Sequence, residues 1–272
     1  MNFAPILAAL AMGADPVAFV VIAPGYPGTT AEAQASMDAF AAALAAQAGW
    51  PAGAVVAAYY ERDGSGLERL QKGDAALAML ALPLFLQQAD SFKLEARLVA
   101  AQKGTGPSET WALVAKKGRV GSPAALAGWQ VNSIAGYAPA FVRGPALGGW
   151  GPMPASTKVV QTSQVLSSLR KAAAGENIAV LLDGTQGAAL STLPFAADLE
   201  VVARSAPLPS GVLVTVGKRL SPDRWKILDG ALRNLGETPA GLAALDAIRL
   251  QGFVPLDPTT LAAARKAYAA AK

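Results

Sequence analysis

The sequence predicts an α/β protein built from two similar lobes. Apolar strand-like runs alternate with helix-like runs along the chain, and one phrase occurs twice, at 67–80 and at 166–182. Each copy has the pattern of a helix with Leu at i and i+3, a basic end, a Gly stop, an acidic residue and an apolar strand. This duplication indicates two lobes of one design, and two such lobes enclose a cleft where a ligand can bind.

Composition excludes several classes of protein. The chain has 272 residues, of which 53% are hydrophobic and 15% charged, so it can bury a large core and is not a disordered chain. Its net charge is +4, but the basic residues are scattered, and we expect no nucleic-acid partner. The sequence has no Cys and no His, which excludes Cys/His metal sites and His-based catalysis. We therefore expect no metal, no cofactor and no enzymatic activity; an enzyme using Glu61 or Asp183 is the weakest alternative.

The N-terminus has some features of an export signal. Residues 3–12 are apolar and small residues follow at 13 and 14, so we expect 1–16 to be a signal peptide. The segment lacks an early Lys or Arg and contains Pro5, and an ordinary N-terminus is the alternative. No later apolar run approaches the length of about 18 residues that a membrane-spanning helix needs.

The lobes are expected at 17–115 together with 206–272, and at 116–205. Both follow the order strand, helix, strand, helix, strand, and the strands carry almost no charge. Such strands are typical of parallel sheets covered by helices on both faces. We expect two long strands at 95–102 and 110–115 to form a hairpin that leads out of lobe one. Three C-terminal helices, at 222–235, 239–250 and 258–271, are expected to pack on lobe one.

Candidate ligand-binding residues follow from the rule that ligands of open α/β sheets bind beyond the carboxyl ends of the strands. These positions hold Tyr26, Tyr59, Tyr60, Glu61 and Leu82 in lobe one, and Ser133, Gly136, Tyr137, Thr162, Asp183 and Gln186 in lobe two.

Two of these groups admit a structural explanation as well as a ligand-binding one. Tyr59, Tyr60 and Glu61 directly follow a buried strand, and because neighbours on a strand point opposite ways, only one Tyr need face the cleft. The alternative is that both Tyr side chains pack in the core and that Glu61 is solvated. Asp183 either contacts a ligand or caps the helix that follows it.

Three motifs resemble those of the type II periplasmic solute-binding proteins, in particular the phosphate/phosphite/phosphonate-type branch that serves ABC transporters. They are Leu67-x-x-Leu70-x-Lys72-Gly73-Asp74-Ala75-Ala76, the Ala-Leu-Ala-Gly-Trp-Gln-Val run at 125–131 and the Arg-Ser-Ala-Pro-Leu-Pro run at 204–209. The resemblance implies two lobes with mixed or parallel sheets flanked by helices, two hinge crossings, and closure on a ligand. It also implies a periplasmic location and a membrane permease as partner, and we expect the protein to be a monomer.

One departure from the family concerns the ligand. Phosphonate-type members hold the oxyanion with a turn such as Ser-Thr-Ser-Gly, whereas this chain has Ser133-Ile134-Ala135-Gly136. A buried phosphoryl group needs most of its oxygens hydrogen-bonded, so the loss of two hydroxyls argues against phosphate. We expect a small organic ligand in the cleft. A carrier of a hydrophobic ligand, such as a sterol or another lipid, is the alternative.

Overall fold

The structure is a computed structural model that describes residues 15–26 and 28–272. The expected signal peptide at 1–16 lies almost wholly outside the described residues. The strands are β1 (Val17–Ile22), β2 (Val55–Tyr60), β3 (Ala75–Leu80), β4 (Leu94–Gln102), β5 (Ser108–Glu109), β6 (Ala112–Lys116), β7 (Gln130–Ser133), β8 (Lys158–Gln161), β9 (Ile178–Leu182), β10 (Leu199–Arg204), β11 (Leu208–Pro209), β12 (Val212–Val216) and β13 (Leu250–Pro255). The α-helices are α1 (Thr30–Gln47), α2 (Asp63–Gln71), α3 (Leu82–Gln88), α4 (Pro139–Phe141), α5 (Val165–Ala174), α6 (Gly184–Ala189), α7 (Pro222–Arg233), α8 (Pro239–Ala247) and α9 (Pro258–Ala270).

The two large sheets share one plan. Lobe one has the strand order β13-β4-β12-β3-β1-β2, and lobe two has β10-β6-β9-β7-β8. In lobe one β1 lies parallel to β2 and β3, while β12 is antiparallel to β3. In lobe two β7 lies parallel to β8 and β9, while β6 is antiparallel to β9. The strands of the repeated phrase, β3 and β9, occupy equivalent central positions, and the predicted two-lobed α/β fold with mixed sheets is confirmed.

Helix α1 shows how the sequence builds the outer layer of lobe one. Thr29 accepts a hydrogen bond from the backbone of Glu32, and Glu32 in turn accepts one from the backbone of Thr29, so the helix begins with a capping box. Phe40, on the buried face of α1, lies 5.1 Å from the Phe19 ring of β1, measured between ring centroids. Helices α7 and α8 pack in the same apolar layer, as predicted for residues 222–235 and 239–250.

The first crossing between the lobes lies earlier than the sequence predicted. Strand β6 pairs with β9 and β10, so it belongs to the sheet of lobe two, and the predicted boundary at residue 116 is wrong. The predicted hairpin of 95–102 with 110–115 is also wrong, because β4 pairs with β12 and β13 in lobe one. The chain passes between the lobes through β5, which pairs with β11 on the returning segment. Both crossings therefore meet in one two-stranded hinge.

Helix α9 contacts both lobes, whereas the sequence predicted that it would pack on lobe one. Gly144 lies in a π-helical turn of lobe two, Val142–Ala146, and a Cβ atom at Gly144 would lie 2.3 Å from the backbone oxygen of Ala267 in α9. Arg265 of α9 lies 5.1 Å from the ring of Phe85 in lobe one, measured from the guanidinium carbon to the ring centroid. The small residue at 144 thus permits α9 to lie directly against lobe two.

Among the described helices, none combines the length and apolar character needed to cross a bilayer.

We predict that Gly144→Ala destabilises the protein by about 2 kcal/mol or more, because the added methyl group would meet backbone atoms of α9 that cannot move aside easily. The matched control is Gly230→Ala in α7, where no atom lies within 4 Å of the added Cβ. This control should stabilise the protein by about 0.5–1 kcal/mol, since Ala favours a helix over Gly. Urea unfolding followed by circular dichroism measures both, and equal effects would contradict the close contact of α9.

Candidate functional site

The two lobes touch at the carboxyl ends of their central strands. A Cβ atom at Gly25, in the loop after β1, would lie 3.1 Å from the Cβ atom of Ile134, in the loop after β7. Gly25 has a φ of +83°, a conformation that glycine adopts without strain. One buried apolar cluster runs through this junction and includes Leu82 of lobe one together with Trp111 and Phe141. The lobes are thus in direct contact where a ligand site was expected.

Asp183 is the buried polar residue on the lobe-two side of the junction. It is only 1% exposed, and its carboxylate accepts a hydrogen bond of 2.7 Å from the backbone N–H of Gln186. The Gln186 side chain accepts one in return from the Asp183 backbone, which completes a capping box at the start of α6. Burial raises the pKa of Asp183, while the N–H donors of α6 oppose that rise. The capping role weighed from sequence is therefore real, and it places the carboxylate at the junction.

Tyr26 is the group of lobe one that meets this carboxylate. It lies close enough to Asp183 for each side chain to shift the pKa of the other, and it lowers the pKa of the acid. Burial raises the pKa of the Tyr26 phenol well above its usual range, and the nearby charges of Asp183 and Glu109 act in the same direction. Tyr26 thus remains neutral beside Asp183, where the lobes meet.

Glu109 is a third polar group of the junction, and the sequence analysis did not select it. It lies on the hinge strand β5, is only 5% exposed, and accepts hydrogen bonds from the backbone of Gly184 at 3.0 Å and the indole of Trp111 at 3.1 Å. Burial, and next the charge of Asp183, raise the pKa of Glu109 to about 8. The sequence signal was a single acidic residue in the crossing segment at 103–111, whose other residues are mostly small or polar.

Tyr137 joins the junction from lobe two. Its backbone oxygen accepts a hydrogen bond of 3.3 Å from the side chain of Gln87, in α3 of lobe one. Burial raises the pKa of its phenol, and the charge of Asp63 adds to this. Leu82, which begins α3, is buried in the apolar cluster beside it.

The adjacent residues Tyr59 and Tyr60 point to opposite faces of β2, as expected for a strand. Tyr60 packs against the apolar cluster that reaches the junction. Tyr59 packs on the α1 side of the sheet, where its buried hydroxyl has no hydrogen-bond partner in the described part of the chain. Glu61 accepts hydrogen bonds from the Thr30 backbone at 3.0 Å and the Thr30 hydroxyl at 2.7 Å, and these bonds lower its pKa. The contacts of Tyr59 and the hydrogen bonds of Glu61 therefore lie within lobe one.

The remaining lobe-two candidates are used inside their own lobe. The Ser133 hydroxyl donates to the backbone oxygen of Leu181 at 2.9 Å. Thr162 accepts from the backbone of Gln164 at 3.0 Å and so supports the start of α5. A Cβ atom at Gly136 would lie 2.3 Å from the backbone nitrogen of Gln161, so this glycine allows the loop after β7 to lie against β8.

Two surface grooves lie away from the junction. One, of about 510 Å³, lies between α1 and the edge strand β2, and the other, of about 550 Å³, lies between the end of α1 and α7. Neither groove includes a residue of the junction. Within the described residues, no group of three or more acidic side chains could hold a metal ion.

Comparison with known proteins gives one partial family match. Residues 161–261, less than half of the chain, match the family model described as the periplasmic phosphonate substrate-binding protein of an ABC transporter. Of the three motifs that carried the resemblance in the sequence, the one at 204–209 lies inside this region. No curated protein matches the sequence.

Several solved structures share the fold over nearly the whole chain. XAC2383 from Xanthomonas citri, bound to chloride, is 14% identical, with a TM-score of 0.72 over 94% of this chain and 97% of its own. A binding protein component of an ABC phosphonate transporter from Pseudomonas aeruginosa is 15% identical, with a TM-score of 0.63 over 91% and 84%. PhnD1 from Prochlorococcus marinus, in complex with methylphosphonate, is 14% identical, with a TM-score of 0.58 over 93% and 98%. At such identities these structures show the two-lobed fold, and with the family match they confirm the resemblance that the motifs indicated.

We predict opposite effects for the removal of two tyrosine hydroxyls. Tyr26→Phe should destabilise the protein by about 1–2 kcal/mol, because the buried Asp183 carboxylate loses the polar neighbour that favours its charged form. Tyr59→Phe should be neutral or stabilise by up to about 1 kcal/mol, because its buried hydroxyl has no partner among the described residues. Urea unfolding of both variants provides the measurement. Equal losses would show that Tyr26 does not support Asp183.

Proposed function

We propose that this chain is a periplasmic solute-binding protein of an ABC-type transport system and that it binds a small organic solute between its lobes. The family match at 161–261 and the shared two-lobed fold support the transport role. We further propose that it acts without catalysing a reaction, that it is a monomer, and that it delivers its solute to a membrane permease. In this proposal two crossing segments, near residues 103–111 and 205–209, join the lobes. They contain β5 and β11, which pair with each other.

The observation that carries this proposal is the polar contact across the junction. Tyr26 of lobe one and Asp183 of lobe two lie at the carboxyl ends of their central strands and are close enough to shift each other's pKa. Ligands of α/β sheets bind at this edge, and a solute held here would touch both lobes at once. Since contact with both lobes favours the closed arrangement over the open one, such a solute would stabilise closure.

The charges at the junction favour a neutral or cationic solute over phosphate. Asp183 and Glu109 are buried acids, and among the described residues no Lys or Arg side chain contributes to the pKa of either. A phosphate or phosphonate placed here would add negative charge beside them, whereas an ammonium group would be attracted. Ser133, the one hydroxyl that remains of the family's oxyanion turn, already donates to Leu181.

The alternative of a lipid carrier has no supporting observation. The apolar side chains of the junction pack against one another as one cluster, and the two surface grooves lie elsewhere. A sterol would need a large apolar space between the lobes, so we retain the small-solute proposal.

We predict that a small organic amine raises the melting temperature by several degrees at a concentration of about a hundred times its Kd. Differential scanning fluorimetry would compare primary amines, quaternary amines, neutral amides, alkylphosphonates and inorganic phosphate. Calorimetry would then compare the wild-type protein with Asp183→Asn, which keeps a helix-capping side chain but removes the charge. We expect at least tenfold weaker binding of the amine to this variant.

The matched control for Asp183→Asn is Asp90→Asn, a change at an exposed Asp after α3, which should leave affinity unchanged. Strong binding of phosphate with no effect of amines would contradict the proposed ligand chemistry. No shift with any member of the panel would count against solute binding itself.

A further inference from the structure

Three buried side-chain atoms lack a hydrogen-bond partner in the part of the chain that the structure describes: the Tyr59 hydroxyl, the Asn132 carbonyl oxygen and the Thr105 hydroxyl. Tyr59 packs on the α1 side of the lobe-one sheet. Asn132 lies inside lobe two, where its amide nitrogen donates to the Ser168 hydroxyl at 3.1 Å. Thr105 differs from both because it lies between β4 and β5, where the chain crosses from one lobe to the other.

A tight turn fixes Thr105 to lobe one. Gln102, the last residue of β4, and Gly106 exchange two backbone hydrogen bonds, of 2.9 and 2.8 Å. The Ser210 hydroxyl ties this turn to β4, because it lies 2.9 Å from the backbone oxygen of Gly106 and 3.0 Å from that of Ala100. Thr105 lies between these anchored residues, so its position against the lobe-one sheet is well defined.

The side chain of Thr105 reaches lobe two. A Cβ atom at Gly184 would lie 3.3 Å from the Cγ2 atom of Thr105 and 2.8 Å from the Cβ atom of Glu109. Gly184 directly follows Asp183, the acid of the proposed solute site. A side chain anchored in lobe one therefore lies against the turn of lobe two that carries Asp183.

The acids near Thr105 take their hydrogen bonds from other groups. Glu109 accepts from two N–H groups, and Asp183 accepts from the backbone of Gln186. Ionised carboxylates offer only acceptors, whereas a Thr hydroxyl can donate as well as accept. A solute oxygen that needs a donor can therefore be served by Thr105 but not by the acids.

We propose that Thr105 is a specificity-determining residue of the solute site, whose hydroxyl donates to an oxygen of the solute while Asp183 attracts the ammonium group. This inference rests on the proposed function, and it narrows the solute to amines that also carry a hydroxyl or carbonyl oxygen. A buried hydroxyl that finds no partner among the described residues costs free energy, and a solute oxygen would recover that cost. An alkylamine of the same size would not.

The solute-free Thr105→Val variant tests whether the hydroxyl has a partner within the protein. Val has nearly the same shape as Thr but lacks the hydroxyl, so the melting temperature should equal or exceed that of the wild type, by up to about 4 °C. Differential scanning fluorimetry of the full chain provides the measurement. A lower melting temperature would show that the hydroxyl supports the fold, and it would overturn the proposal whatever the protein binds.

Calorimetry with ethanolamine and propylamine tests the contact with the solute. Both probes carry an ammonium group and have the same number of non-hydrogen atoms, but only ethanolamine has an oxygen. We expect the wild-type protein to bind ethanolamine at least about tenfold more tightly than propylamine. Thr105→Val and the smaller Thr105→Ala should lose this preference without a change in the affinity for propylamine. Thr105→Ser, which keeps the hydroxyl, should retain it.

The matched control is Thr192→Val, a change at an exposed Thr whose hydroxyl donates to Ala189 at 2.7 Å within its own turn. This variant should keep both affinities. Equal affinities of the wild type for the two probes, or a preference that survives in Thr105→Val, would overturn the role of Thr105 while amine binding stands. Binding of neither probe to the wild type would count against the proposed function and would remove the basis of this inference with it.

Discussion

Burial of negative charge without a nearby cation is the constraint on which the lobe junction depends. Asp183 and Glu109 both lose water there, and N–H donors of α6 and of Trp111 replace it. These donors belong to lobe two and to the segment next to the hinge, while the Tyr26 hydroxyl belongs to lobe one. The observed donors to both acids thus come from lobe two and the adjoining segment, and Tyr26 of lobe one lies beside Asp183.

Much of the fold was predictable because its signals are local. The repeated phrase, the uncharged strands and the Gly and Pro stops identified the strands of both sheets and their common plan. The assignment of β6 and α9 failed for a physical reason. The sequence of a mostly apolar strand such as 112–116 does not specify which sheet the strand joins. Its pairing with β9 depends on residues far apart in the chain, which local patterns do not reveal. Likewise, the small face of α9 suits either lobe, and its position depends on the space left by Gly144.

The place where the lobes meet was predictable from the sequence, but not all of the residues that meet there. The rule of strand ends selected Tyr26, Tyr137 and Asp183, which meet at the junction, yet it also selected Tyr59 and Glu61, which serve lobe one. Glu109 escaped because it follows no parallel strand, and its partner Gly184 lies 75 positions away along the chain. The rule selects only residues that follow parallel strands, so it misses residues of the hinge. The hinge strand β5 nevertheless contributes Glu109, a buried acid, to the junction.

The contact of α9 with Gly144 has a consequence for how the lobes can move. The lobes are joined covalently at the hinge formed by β5 and β11, and α9 adds a third, non-covalent attachment to lobe two. Two bodies attached at separated points retain one easy rotation, about the line that joins those points. We expect lobe opening to follow this single axis, because a twist about any other would separate Ala267 from Gly144. In the proposed function, the C-terminal helix would therefore set the path of closure although it contributes no residue to the junction.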